Sequence, residues 1–209
     1  MASFALVTEG ITDQALLSAI LYGYYEDEPD ITEAQPVRDE TDIHRQGNPA
    51  GWERVLEFCT LPHFEQLFLA NDFAIIQIDS DVGEEINFGV ALTDNGKAKS
   101  EIVLIEEIRQ VLVMKISLPI YEKCRDRIIF AIAVHSLECW LLPAYAAKAD
   151  RTINCEHHLG YAVRKSGLDY EKTHRTYEKL SKPFEKKKNL LAYKNQNVSL
   201  DAFLNSLPT

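Results

Sequence analysis

The sequence predicts an α/β protein, a central parallel sheet flanked by helices, with a basic helical appendage toward the C-terminal end. Three observations carry this. Apolar runs of strand length recur at Ser3–Thr8, Phe73–Asp79 and Arg127–Ser136, and two of them are β-branched in the manner of strands buried on both faces. Between the strands lie stretches whose apolar residues recur at helical spacing, above all 100–116, which suits the crossover that parallel strands require. The charge also changes sign along the chain. Residues 1–147 hold 25 Asp+Glu against 10 Lys+Arg, whereas residues 148–194 hold 6 against 12.

The first strand runs straight into Glu9-Gly10-Ile11-Thr12-Asp13. Gly10 suits a sharp strand-to-helix turn, and Thr12 is placed to cap a helix through Ala15, Leu16, Leu17, Ile20 and Leu21. Residues 25–50 are acidic and carry Pro29, Pro36 and Pro49; they read as a long connection with one edge strand near Ile31–Arg38. Gly51 to Leu69 reads as two helical pieces broken at Leu61-Pro62, with Trp52, Val55, Leu56, Phe64, Leu67 and Phe68 as core. After the central strand, Val82–Ser100 reads as a loop folding over the strand end. A helix from Ser100 to Ile116 follows, with Ile102, Leu104, Ile105, Ile108, Val111, Leu112 and Met114 toward its buried side. The third strand leads into the apolar helix Leu137–Leu142, which Pro143 ends or kinks. Residues 158–194 read as two or three helices, and 189–209 as a short terminal helix packed back on the core.

At 209 residues the chain suits one medium core plus a small appendage, divided as 1–147 and 148–209. No apolar run reaches the length of a membrane span, and no basic-then-apolar leader opens the sequence, so a cytoplasmic protein with no membrane partner is expected. Cys59, Cys124, Cys139 and Cys155 are scattered without a CxxC spacing, which predicts reduced thiols. A zinc site from Cys139, Cys155, His157 and His158 matches no familiar ligand spacing. The net charge of −10 argues against nonspecific nucleic-acid binding by the whole surface. The basic segment offers either a local binding face or a solvated helical tail.

Chemistry is concentrated at strand ends. The central strand closes on Asp79-Ser80-Asp81, two carboxylates one residue apart. Held close they repel unless a cation sits between them, and hard oxygens suit Mg²⁺ or Mn²⁺. An Asp-Ser-Asp turn capping the next element is the other reading of the same residues. Asp13 is also an ordinary acid for a helix N-terminus, but Glu9 stands where an unpaired charge is costly. Glu138 interrupts an apolar helix just past the third strand. Glu84 and Glu85 read as solvated loop residues or as additions to a metal shell. His135 reads as a strand-end hydrogen-bonding residue before a catalytic one.

Taken in order, Leu-Val-Thr-Glu9-Gly10-Ile-Thr-Asp13, Ile-Asp79-Ser-Asp81 and Ser136-Leu-Glu138-Cys-Trp-Leu-Leu resemble the Toprim fold, a Rossmann-like arrangement. The likeness is to OLD-family nucleases and to small stand-alone Toprim proteins paired with ABC-type ATPases in prokaryotic antiphage defence. It covers roughly residues 3–147. The resemblance implies Glu9, Asp79 and Asp81 as catalytic acids. It implies Glu9, Asp13, Asp79, Asp81 and Glu138 as ligands of one or two Mg²⁺ or Mn²⁺ ions. It also implies a lysine, for which Lys148 and Lys186–Lys188 are candidates. The expected activity is metal-dependent endonuclease hydrolysis of DNA or RNA, tRNA included. The expected partners are nucleic acid and an ABC-type ATPase chain, with homo-oligomers allowed. No GxxxxGK[ST] pattern occurs, so any ATPase is a separate chain. The rival is a non-catalytic Toprim-scaffold regulatory or sensor subunit that binds the ATPase.

Overall fold

The computed structural model describes residues 2–37, 51–146 and 153–209. The chain runs β1 (Ser3–Val7), α1 (Ile11–Tyr25), β2 (Asp30–Gln35), α2 (Trp52–Thr60), α3 (His63–Ala70) and β3 (Phe73–Asp79). There follow β4 (Thr93–Asp94), β5 (Lys97–Ala98), α4 (Glu101–Lys115), α5 (Leu118–Cys124), β6 (Ile128–Ala133) and α6 (Glu138–Tyr145). The C-terminal part contributes α7 (Cys155–Lys165), α8 (His174–Ser181), α9 (Lys187–Lys194) and α10 (Val198–Ser206).

Four strands pair in the order β2-β1-β3-β6, all parallel, so the protein is α/β with a parallel sheet flanked by helices. Alternation along the strands divides the apolar residues between two faces. Phe4, Leu6, Ile75, Ile129, Ala131 and Ala133 pack with α1 and with the helices after β6. Ala5, Val7, Ala74, Ile76, Ile78 and Ile132 pack with α2, α3, α4 and the loop residues Phe88 and Val90. The segment past residue 148 supplies Leu159, Val163, Tyr177, Phe184, Phe203 and Leu207 to the first of these cores, and so forms part of the wall that covers the sheet.

α10 is tied to β6 chemically as well as by packing. Ser199 Oγ accepts from the Val134 amide at 3.2 Å and from the Trp140 indole at 2.8 Å, and Trp140 stacks on Phe203. Each of those donors would otherwise be a buried polar group without a partner.

Several expectations are corrected. Thr12 does not cap α1; the helix starts at Ile11, and Asp13 Oδ2 takes the Gly10 amide at 2.8 Å, the acid half of a capping box. The loop 82–100 contains the hairpin β4–β5, turned through Asn95 and Gly96 at positive φ. The Asn-Gly pair is the local signal for that turn. Phe88 and Val90 anchor this loop in the α2–α4 core. Ile102 and Met114 are 60% and 75% exposed; the buried stripe of α4 is Leu104, Ile108 and Leu112. Pro143 lies inside α6, which continues to Tyr145. Arg38, the far end of the predicted edge strand, falls outside the described residues, as do Lys148 and Pro49.

The reduced-thiol expectation fails at one pair. Cys139 and Cys155 form a disulfide with Cα atoms 5.0 Å apart across a sequence separation of 16, while Cys59 and Cys124 are free and buried. Widely spaced cysteines gave no sign of it, because the pairing arises only when α7 packs against α6. Closing a loop of this size contributes about 3 kcal/mol in the chain-entropy account.

Candidate functional site

The strand order determines where a site belongs. The chain leaves β1 for β2 on one side and places β3 on the other, so the direction of winding reverses between β1 and β3. In open α/β sheets ligands bind outside the carboxyl ends of the strands at such a reversal. Glu9 follows β1 and Asp79 ends β3; the two stand on either side of it.

They touch. Glu9 Oε1 accepts the Asp79 amide at 2.7 Å, bridging the two strand ends. Gln77, fully buried, braces the pair from below: its Oε1 accepts the Glu9 amide at 3.1 Å and its Nε2 donates to Asp79 Oδ1 at 2.9 Å. Thr8, also fully buried, has its Oγ1 within 2.9 Å of Gly10 O and 3.1 Å of Gln35 O, its one proton shared between the two, which fixes the turn that presents Glu9. Gly51, just before α2, donates to the Glu9 carbonyl at 2.7 Å. Asp13 sits in the first turn of α1, buried, and Thr12 donates to its Oδ1 at 3.3 Å.

Asp81 stands in the 3₁₀ turn Ser80–Val82, more open to solvent than the others. That turn is laced to the end of β6. The Asp81 amide donates to His135 O at 3.1 Å, and the His135 amide donates to Ser80 Oγ at 2.7 Å. His135 takes a left-handed conformation with φ 64, so its main chain joins the two strand ends. Glu84 and Glu85 are exposed on the following loop.

Glu138 opens α6 and is 2% exposed. Its Oε1 accepts the Tyr177 hydroxyl at 2.6 Å and lies 3.0 Å from Lys172 Nζ. Tyr177 spends its single proton on Glu138, so Tyr170, 2.9 Å away, donates to Tyr177 in turn. Lys172 also meets Glu156 at 3.2 Å.

The electrostatics tie the five acids together. Burial, then the Asp13 and Asp81 charges, push Glu9 up to about 8 against the opposing Asp79 amide. Burial and the Glu138 charge push Asp13 up to about 7. Asp79 is raised well above the carboxylate range by burial and by Glu9, Asp13, Glu138 and Asp81. Partial desolvation and Glu138 raise Asp81 as well, with Lys172 opposing. Glu138 goes the other way. Burial raises it, but Lys172 and the hydrogen bonds from Tyr177 and Ser136 outweigh burial and hold it below the ordinary value.

The five predicted acids thus share one edge of the sheet and feel one another's charge. Their donor chemistry fits a hard divalent ion, since all are carboxylates and four are destabilised as anions. Among the described residues, however, no three His, Cys, Asp or Glu side chains are already gathered as a ligand set. Glu138 is instead neutralised by Lys172.

Lys172, Tyr177 and Gln77 are site residues the sequence reading missed. Gln77 left a signal, an amide in the middle of an apolar strand. Lys172 left none, lying in the polar run Asp169-Tyr-Glu-Lys172-Thr-His. Of the candidate lysines, Lys187 pairs with Glu26 at 2.9 Å, just past the C-terminus of α1. Asp13 and Glu26, 13 residues apart along α1, stand about 20 Å from each other, so Lys187 serves the opposite end of the helix. Lys182 and Lys194 are likewise paired, with Glu185 and Asp201. Among the described residues no helix is long and apolar enough to cross a membrane. No protein-family model, curated protein or solved structure matches the chain.

Proposed function

We propose that this is a Toprim-like, divalent-metal-dependent nuclease that hydrolyses phosphodiester bonds in DNA or RNA at the carboxyl edge of its sheet. The observation that carries the reading is the Glu9–Asp79 contact at the β1/β3 reversal, with Asp13 and Asp81 adding charge to the same point. Four mutually repelling carboxylates at the place where α/β sheets bind ligands call for a cation. A bound Mg²⁺ or Mn²⁺ supplies a Lewis acid for the phosphoryl oxygen and lowers the pKa of a water.

The chain's own residues do the rest. Glu9 and Asp79 are the residues that would hold the ion, with Asp13 behind them and Asp81 at the mouth. Glu9 commits one oxygen to the Asp79 amide, which leaves the other to receive an ion or a proton from an attacking water. Gln77 keeps both carboxylates in register across the strand boundary. Lysines of the C-terminal helices lend phosphate contacts by exchanging weak, exposed ion pairs for the substrate backbone. The polyanion makes such contacts salt-dependent. The role expected in the cell is that of an effector subunit working with a separate ABC-type ATPase chain in prokaryotic antiphage defence.

The test is cleavage of plasmid DNA and of tRNA in Mn²⁺ by the wild type and by Glu9→Ala and Asp79→Ala. Cleavage that survives both changes would exclude this edge as the active site. One observation favours a second reading, a non-catalytic scaffold that binds the ATPase. Glu138 is already satisfied by Lys172 and Tyr177, with no ligand set gathered among the described residues. Calorimetric titration separates the two readings, because a scaffold with no Mg²⁺ or Mn²⁺ affinity is not this enzyme.

A further inference from the structure

The disulfide lies against the acid edge. Cys139 is the neighbour of Glu138 in sequence, and Cys155 is the neighbour of Glu156. Those two carboxylates are the ones that Lys172 bridges, at 3.0 and 3.2 Å. Lys172 is therefore held between two carboxylates whose sequence neighbours the disulfide ties together.

The loop carrying Lys172 also rests on α7. The Tyr170 ring lies so close to Gly160 that a Cβ there would stand 3.0 Å from it. The Arg164 guanidinium lies 5.5 Å from the centre of the same ring. α7 itself packs chiefly on α6, through Leu159 and Val163 and through the covalent bond at its first residue. Position is thus passed from the disulfide to α7, and from α7 to the loop and to Lys172.

We infer that the Cys139–Cys155 disulfide is a redox lock on the acid edge, holding Lys172 as an internal counter-ion that competes with a divalent cation. The inference rests on the metal-site reading given above. With the bond closed, one ammonium group neutralises Glu138 and lowers the negative potential felt by Glu9, Asp13 and Asp81. With it open, α7 loses its covalent tie to α6 and keeps its apolar packing there and the Lys172 bridge. The loop then gains freedom, and Glu138 is released to complete the carboxylate set. The chemistry needs a dithiol reductant. One of its thiolates attacks a cysteine sulfur, the protein S–S bond breaks, and a mixed disulfide forms. The first cysteine to leave departs as a thiolate when the bond breaks; the second thiol of the reductant then displaces the attacked cysteine from the mixed disulfide, leaving two protein thiols and an oxidised, cyclic reductant. Both cysteines are buried, at 1% and 2% exposure. Cys155 is the first residue of its helix, so fraying of a single turn gives access.

The probe is Mn²⁺ alone, titrated by calorimetry or by loss of its free-ion EPR signal. Four forms of the full chain are compared: oxidised, reduced with thiols blocked by alkylation, Cys139→Ser/Cys155→Ser, and Lys172→Met with the disulfide intact. The expected result is Mn²⁺ binding at least tenfold tighter in the reduced and double-serine forms than in the oxidised one. Lys172→Met is expected to bind tightly while oxidised and to gain nothing further on reduction. This last variant keeps the test decisive if loss of the disulfide unfolds the chain. Equal affinity in the oxidised, reduced and Lys172→Met forms, abolished by Glu9→Gln, overturns the lock while leaving the metal site standing. No binding in any form overturns both.

Discussion

Two aspartates flank the central strand, and they behave in opposite ways. Asp72 precedes β3 at the amino edge, exposed. It accepts the Ser3 amide and hydroxyl, both at 2.9 Å, and these bonds hold its carboxyl below the ordinary range. Around it the Arg127 guanidinium gathers the carbonyls of Phe68, Asn71 and Asp72. Asp79 closes the same strand at the carboxyl edge, is surrounded by four other acids, and is raised well above that range. One edge has each anion matched by donors and fastens the sheet. The other concentrates like charge at the carboxyl edge, at a cost in stability of the kind found where residues serve a function rather than the fold.

The sharpest way to break the contrast is by activity. Asp79→Ala or Glu9→Ala is expected to reduce Mn²⁺-dependent cleavage by about 100-fold or more, the upper range for disturbing a metal site. Asp72→Ala should leave it within about twofold, as surface changes away from a site do. A plasmid-nicking time course reads both.

Next comes the response to metal. Saturating the wild type with Mn²⁺ at 100 times its Kd should raise Tm by about 5–10 °C in a chain of this size. Asp72→Asn should show the same rise and Asp79→Asn almost none, measured by scanning fluorimetry.

The third effect is pH. Glu9 and Asp13 are raised by folding from 4.5 to about 8 and from 3.8 to about 7. Below the unfolded values both states are protonated and stability is complete. As pH rises the unfolded chain releases its protons first, so stability is lost progressively up to about pH 8. The metal-free protein should therefore be less stable at pH 8 than at pH 5 by on the order of a few kcal/mol, and should melt at a lower temperature there. Glu9→Gln should flatten that slope and raise the Tm at pH 8 even as it abolishes cleavage. The smallest effect has the opposite sign. Asp72→Asn should lower Tm slightly at neutral pH, and the difference should fade on acidification, because a lowered carboxyl loses its contribution as it protonates.

Much of this was legible beforehand, for a physical reason. Strands buried on both faces leave apolar runs such as Phe73–Ile78, and the acids that follow them fall at strand ends by chain order alone. Parallel strands then bring Glu9, Asp79 and Glu138 to the same edge whatever the helices between them do. What stayed hidden depends on packing of the C-terminal helices. Tyr177 reaches Glu138 because α8 lies along α1, Lys172 because its loop rests on α7 just before α8, and the Cys139–Cys155 bond exists only because α7 meets α6. A polar run with scattered Lys and Tyr carries no periodic mark of either contact. The β4–β5 hairpin is different: the pair Asn95-Gly96 marks its turn in the sequence itself.

The way α1 is covered bears on how the chain is made. Its apolar side is emitted within the first twenty-five residues, yet its helical cover comes from α8 and α9. About 150 residues separate the end of α1 from the start of α8, a delay of roughly 8–30 seconds at ordinary translation speeds. Through that interval the face of α1 turned away from the sheet lacks its helical cover, so the nascent protein should lean on chaperones until α8 and α9 emerge.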